Sequence, residues 1–153
     1  MSVFQNIISR SPIDKGWSGD QKYCAVTTDG TKYLLRISSI ERLERKRREY
    51  EKMSEVAELG IPMCMPVEFG TCEEDAYSIQ TWIDGEEAET AIMSMDSSEQ
   101  YRYGLDAGRI LSKIHTIPAQ KDAPNWETRF NAKIDRKIAM YENCELKIGR
   151  AHV

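Results

Sequence analysis

The sequence predicts an α+β fold, a five-stranded antiparallel sheet carrying one helix, with further helices after it. Three observations predict it. Residues 22–38 are rich in β-branched and aromatic types and are broken by Asp29-Gly30, a dipeptide that closes tight hairpins because glycine reaches positive φ without steric cost. The apolar spacing then turns helical over residues 41–59 and extended again over residues 65–83. Beyond Gly85 only helical spacing is found.

In chain order, residues 3–8 predict a short helix, and residues 13–38 predict β structure with punctuation. Lys15-Gly16-Trp17-Ser18-Gly19-Asp20 has the small residues of a tight connection, and residues 22–28 form the next strand. After the Asp29-Gly30 turn comes Tyr33-Leu34-Leu35-Arg36-Ile37. Alternation places Lys32, Leu34, Arg36 and Ser38 on one face of that strand and Tyr33, Leu35 and Ile37 on the other. Leu43, Tyr50, Met53 and Ala57 then share one stripe of a helix over residues 41–59, which Gly60 and Pro62 stop. Strands over residues 65–71 and 76–83 follow, joined by the acidic turn Glu73-Glu74-Asp75. The expected boundary lies at Asp84-Gly85. A capping box from Ser97 to Gln100 opens a helix that keeps Tyr101, Leu105, Gly108, Leu111 and Ile114 on one face until Pro118. A last helix starts near Asn125, and its stripe of Trp126, Phe130, Ile134, Ile138 and Tyr141 predicts packing on something large.

Composition narrows the function classes. A chain of 153 residues with 41% hydrophobic content is large enough for one core. A net charge of −4 argues against general affinity for nucleic acid or anionic membranes, so any phosphate binding must be local. The four cysteines, Cys24, Cys64, Cys72 and Cys144, form no CxxC pair and have no histidine at zinc-ligand spacing. Neither a structural metal nor a disulfide framework is expected. With no basic start before an apolar block and no bilayer-length apolar run, the expected location is cytoplasmic.

Taken one at a time, the residues that could carry chemistry have plain structural explanations. Arg36 alone fits a solvated strand edge, and Leu34 alone fits a core position. Glu49 sits in a run in which ten of the twelve residues 41–52 are charged, the usual sign of a solvated face with i,i+4 pairs such as Glu41 with Arg45. Yet Glu49 lies four residues before Met53 and so borders the apolar stripe. A cation on one element and a carboxylate on the next, both beside the core, point to a shared site. The loop at residues 16–20 lacks the GxxxxGK[ST] pattern and the full GxGxxG, although Ser18 and Gly19 have the turn character of an anion-binding backbone nest.

In order and spacing, Lys15-Gly16-Trp17-Ser18-Gly19-Asp20, Tyr33-Leu34-Leu35-Arg36, Arg48-Glu49-Tyr50, Leu59-Gly60-Ile61-Pro62, Trp82-Ile83-Asp84-Gly85, Gly108-Arg109-Ile110-Leu111 and His115-Thr116-Ile117-Pro118 resemble the N-terminal part of the aminoglycoside phosphotransferase family. These are small-molecule kinases of protein-kinase-like fold. The resemblance implies a protein-kinase-like N-terminal lobe over residues 1–84, a hinge and the first helices of an incomplete, truncated C-terminal lobe over residues 85–147, and a bound ATP or GTP with Mg²⁺. It places Arg36 where a lysine contacts the α- and β-phosphates, with Glu49 as its helix partner. Ser18 and Gly19 would cover the phosphates, Leu34 would lie against the base and Gln80 behind it, and the backbones of Thr81 and Ile83 would meet the base edge. The partners implied are the nucleotide and a small molecule bearing a hydroxyl, with no nucleic acid and no membrane.

Two departures stand out. Arginine replaces lysine at position 36, and its planar fork favours bidentate contacts over those of a point charge. The His-Gly-Asp loop of the family is absent, so the sequence assigns no catalytic residue and no metal ligand, the metal ligands being expected in the missing part. His115, beside Pro118, has the position of a helix-end residue. Residues 148–153 back-translate to a widely used sequencing adapter and are expected to be a non-native tail. The chain is then expected to bind nucleotide weakly and to transfer nothing by itself, with the 126–141 stripe partly exposed. Aminoglycosides, choline, homoserine, sugars and macrolides remain open as acceptors. Two other readings stay open: a catalytically inactive kinase-like interaction module, and a nucleic-acid-binding domain using Arg42, Arg45, Lys46, Arg47 and Arg48.

Overall fold

The computed structural model describes residues 2–16, 18–119, 123 and 125–144. The chain divides into two compact units, Met1–Ile117 and Pro118–Val153. In the first, β1 (Ile7–Pro12), β2 (Gln21–Thr27), β3 (Lys32–Ser39), β4 (Pro66–Cys72) and β5 (Asp75–Thr81) form one antiparallel sheet in the order β1-β2-β3-β5-β4. The helix α1 (Leu43–Ala57) lies between β3 and β4 in sequence and packs on β3, β4 and β5. Two more helices follow the sheet, α2 (Ala88–Met93) and α3 (Ser97–Ile114). The second unit contains α4 (Trp126–Glu142).

Local chemistry sets the register. Gly30 adopts φ +83° at the tip of the β2–β3 hairpin, and the Asp29 carboxylate accepts bonds from Thr27 Oγ1 at 2.6 Å and the Thr31 N–H at 3.1 Å. The turn therefore pairs Ala25 with Tyr33 and Tyr23 with Leu35. Across the sheet Leu35 faces Ile79 and Ile37 faces Tyr77. The expected alternation holds: Leu35, Ile79, Ala25 and Tyr77 form the buried core, with Tyr33, Ile37 and Tyr23 packed against it. Burying these side chains drives the sheet to form, at roughly 1.5–3 kcal/mol for each large one.

The N-terminal segment closes this core. Phe4 stacks on the Tyr77 ring at 4.1 Å, and the Glu68 carboxylate accepts from Ser2 Oγ, the Val3 N–H and Tyr77 Oη, each at 2.6 Å. Burial raises the Glu68 pKa, but these donors outweigh it and the carboxyl is held below its ordinary range. Tyr77 is pushed up to about 12, first by burial and then by its bond to that carboxylate.

Three local expectations are corrected. The predicted helix over residues 3–8 is a three-residue 3-10 turn, Phe4–Asn6, after which Ile7 already starts β1. The isoleucines there are β-branched, and pairing with β2 satisfies backbone groups that a short isolated helix would leave open. Asp96 with Glu99, not Ser97 with Gln100, makes the capping box of α3, because the Asp96 carboxylate accepts from both the Ser98 and Glu99 N–H groups. Residues Ile40–Arg42 form a 3-10 turn, so α1 starts at Leu43. Asn125 caps α4 as its sequence predicts. Trp126 and Phe130 stack at 4.8 Å, yet the stripe they begin is exposed, Trp126 by 72%. The tail at residues 148–153 lies outside the described residues. No helix among the described residues is long and apolar enough to cross a membrane.

Candidate functional site

The face of β3 turned away from the core carries the polar residues. Arg36 lies opposite Lys22 on β2 and Ser78 on β5, and Leu34 lies opposite Gln80. Asp20 ends the β1–β2 loop immediately before β2, which brings its carboxylate under this face.

Six side chains form one hydrogen-bonded network there. Arg36 Nη2 donates to Asp20 Oδ2 at 2.7 Å and to Ser18 Oγ at 3.2 Å. Lys46 Nζ, from α1, donates to the same Asp20 oxygen at 2.8 Å and to Glu49 Oε2 at 2.8 Å. Ser38 Oγ donates to Asp20 Oδ1 at 2.8 Å. The Asp20 side chain is 1% exposed. Burial alone would raise its pKa, but the bonds from Lys46, Ser38 and Arg36 outweigh that and hold it down to about 2. Glu49 is 49% exposed and also accepts from Arg45 Nε at 3.1 Å.

The expected pairing of Arg36 with Glu49 is therefore indirect. Lys46, three residues before Glu49, projects from the same side of α1 and stands between the helix carboxylate and the sheet. Arg36 turns instead to Asp20, at the end of the β1–β2 loop. Both Arg36 and Glu49 line one small hollow of about 30 Å³ between the sheet and α1, together with Lys46, Met53 and Gln80. That volume suits a water, not a nucleotide. A ligand must approach from the open side, where Arg36 is 30% exposed.

Of the remaining predicted positions, Gln80 lines that hollow, and Ser18, Gly19, Leu34, Thr81 and Ile83 do not. Ser18 is exposed and bonded to Arg36. At Gly19 an added Cβ would stand 3.2 Å from Arg42 Nη1, so a side chain there would press on the helix-start arginine. Leu34 is half-buried. Gln80 is 5% exposed, and its Nε2 has no hydrogen-bond partner among the described residues. Thr81 spends its N–H on the Met65 carbonyl at 2.9 Å, and its hydroxyl accepts from the Met65 N–H at 2.8 Å. Ile83 is 56% exposed, and its N–H and C=O have no backbone partner among the described residues. Asp84 accepts from Lys32 Nζ and Trp82 Nε1, both at 3.0 Å, which fixes the strand exit next to Ile83. Its carboxyl is held below the ordinary range, chiefly by the Lys32 bond. Lys15 pairs with Glu87 across the other rim of the loop.

Sequence reasoning missed three residues of this site, Asp20, Ser38 and Lys46. All were visible in segments already singled out, Asp20 closing the small-residue loop, Ser38 on the strand face of Arg36 and Lys46 one turn before Glu49.

The donor set fits phosphates and a base edge. The Nε and Nη1 groups of Arg36 make no hydrogen bond among the described residues, the Gln80 amide is an orphaned buried donor, and Ile83 offers a free backbone edge. A divalent cation does not fit. Asp20 and Glu49 are saturated by cations, and no cluster of three or more His, Cys, Asp or Glu among the described residues could hold a metal. The charges of α1 are also largely paired internally, Arg45 with Glu49, Arg47 with Glu44 and Lys52 with Glu55.

The sequence model described as the phosphotransferase enzyme family, APH, matches residues 9–151. Among solved structures, that of Rad53 1-466 in complex with AMP-PNP is similar at 15% identity and a TM-score of 0.41, covering 59% of this chain and 24% of that one. No curated protein matches.

Proposed function

Because the chain belongs to the phosphotransferase enzyme family, we propose that residues 1–84 are the nucleotide-binding part of a small-molecule kinase that transfers the γ-phosphate of ATP or GTP to a hydroxyl. Arg36 grips the phosphates through its free Nε and Nη1 donors. Ser18 and Gly19 cover them, Leu34 packs on the base with Gln80 behind it, and the Thr81 carbonyl and Ile83 backbone meet the base edge. A Mg²⁺ brought in with the nucleotide would supply neutralisation of phosphate charge, and no cluster of protein ligands for it stands among the described residues.

One observation carries this reading. Arg36 is tied to the loop through Ser18 and Asp20 while keeping donors free, on the same strand face as Leu34, whose partner across the sheet, Gln80, has an orphaned amide. The internal pairing along α1 favours this reading over contact with nucleic acid through that helix.

Thermal unfolding with ATP·Mg²⁺ or GTP·Mg²⁺ tests the assignment, since a ligand that binds only the folded state raises the transition temperature. The chain is expected to be stabilised, by one nucleotide more than the other, and Arg36→Ala to lose most of that gain. Equal stabilisation of the two proteins would remove the phosphate-gripping role.

A further inference from the structure

The resemblance gives the cation at position 36 a helix carboxylate as its partner, and here the helix carboxylate does not reach it. We propose that Asp20, not Glu49, is the positioning residue of Arg36, with Lys46 as the tie between that pair and α1. The inference rests on the nucleotide reading above.

Three features of Asp20 support the assignment. It is buried, with a side chain 1% exposed against 49% for Glu49. An ion pair in that setting is screened far less than one in water, whereas Glu49 divides its oxygens between Lys46 and Arg45 at the surface. Its Oδ2 takes both cations, at 2.7 Å from Arg36 and 2.8 Å from Lys46, while Oδ1 is fixed by Ser38 at 2.8 Å. A carboxylate held at both oxygens has a set orientation, and it passes that orientation to whatever it binds.

The use of the guanidinium agrees. Asp20 and Ser18 both engage Nη2, on the loop side, and leave Nε and Nη1 for a ligand. The aim of Arg36 is thus set by the β1–β2 loop. Lys46 links α1 to the Arg36–Asp20 pair by its bond to the same Asp20 oxygen.

ATP·Mg²⁺ affinity and urea stability, measured on wild type, Arg36→Ala, Asp20→Asn, Glu49→Gln and the two double variants with Arg36→Ala, test the proposal. Asp20→Asn is expected to weaken ATP about tenfold, roughly the loss of one charge-assisted contact, and to add little on top of Arg36→Ala. Glu49→Gln should stay within about twofold. Ser38→Ala, which loosens Asp20 without changing any charge, should cost about threefold and serves if Asp20→Asn does not fold. A larger loss from Glu49→Gln than from Asp20→Asn, tighter binding by Asp20→Asn, or an unchanged Ser38→Ala would overturn the assignment. If wild type itself binds no ATP, the nucleotide reading fails, and the stability cycles decide the rest: coupling of Arg36 to Asp20 but not to Glu49 upholds the positioning geometry, and its absence overturns it.

Discussion

Asparagine at position 20 has nearly the shape of a protonated aspartic acid, so Asp20→Asn should imitate at neutral pH what acid does to the wild-type site. The Asp20 carboxyl sits at about 2 in the folded protein against 3.8 when free. That difference of nearly two units is worth about 2–3 kcal/mol, because each unit corresponds to roughly 1.4 kcal/mol. The sign follows from proton binding: the unfolded chain takes up the proton first as pH falls. The stabilisation is therefore complete above about pH 4 and disappears as pH drops towards 2. Asp20→Asn should be less stable than wild type by about 2–3 kcal/mol at pH 7, with the gap narrowing steadily below pH 4. Glu68, whose carboxyl is also held low, is present in both proteins and cancels in the comparison. Urea denaturation at a series of pH values measures the gap directly. A difference that stays constant from pH 7 to pH 3, or one too small to detect at pH 7, would refute the claim that Asp20 is ionised and held by Arg36, Lys46 and Ser38.

Two further predictions concern the scaffold. At Gly70 an added Cβ would stand 2.6 Å from Tyr77 Oη and 2.8 Å from its Cζ, and the ring is pinned between Phe4 and Glu68, so Gly70→Ala should cost about 1–3 kcal/mol; an unchanged urea midpoint would show that the ring yields freely. Asp96→Ala should remove about 1 kcal/mol from the start of α3, seen as faster amide exchange at Ser98 and Glu99, and equal exchange rates would count against the cap.

Much of the sheet was legible because its signals are local. Asp29-Gly30 dictates a hairpin, the alternation through Tyr33, Leu35 and Ile37 dictates which face is buried, and Gly60 with Pro62 ends the helix region. The start of β1 was not legible, since Ile7-Ile8 suits helix or strand and only pairing with β2 decides between them. At the site, the sequence placed Leu34 and Arg36 on a common strand face, as the register shows. It could not give the partner of Arg36. The nearest carboxylate depends on how the chain between Pro12 and Gln21 folds back and on where a helical lysine projects, and neither leaves a periodic trace. Asp20 and Lys46 are ordinary charged residues until the fold brings them within 2.8 Å of each other.

Calorimetric titration of the wild-type chain and Arg36→Ala with ATP·Mg²⁺ tests the central claim most directly. A phosphate held by an arginine fork contributes on the order of 1.5–3 kcal/mol, so Arg36→Ala should bind roughly 10- to 100-fold more weakly. Equal dissociation constants for the two proteins would contradict the account.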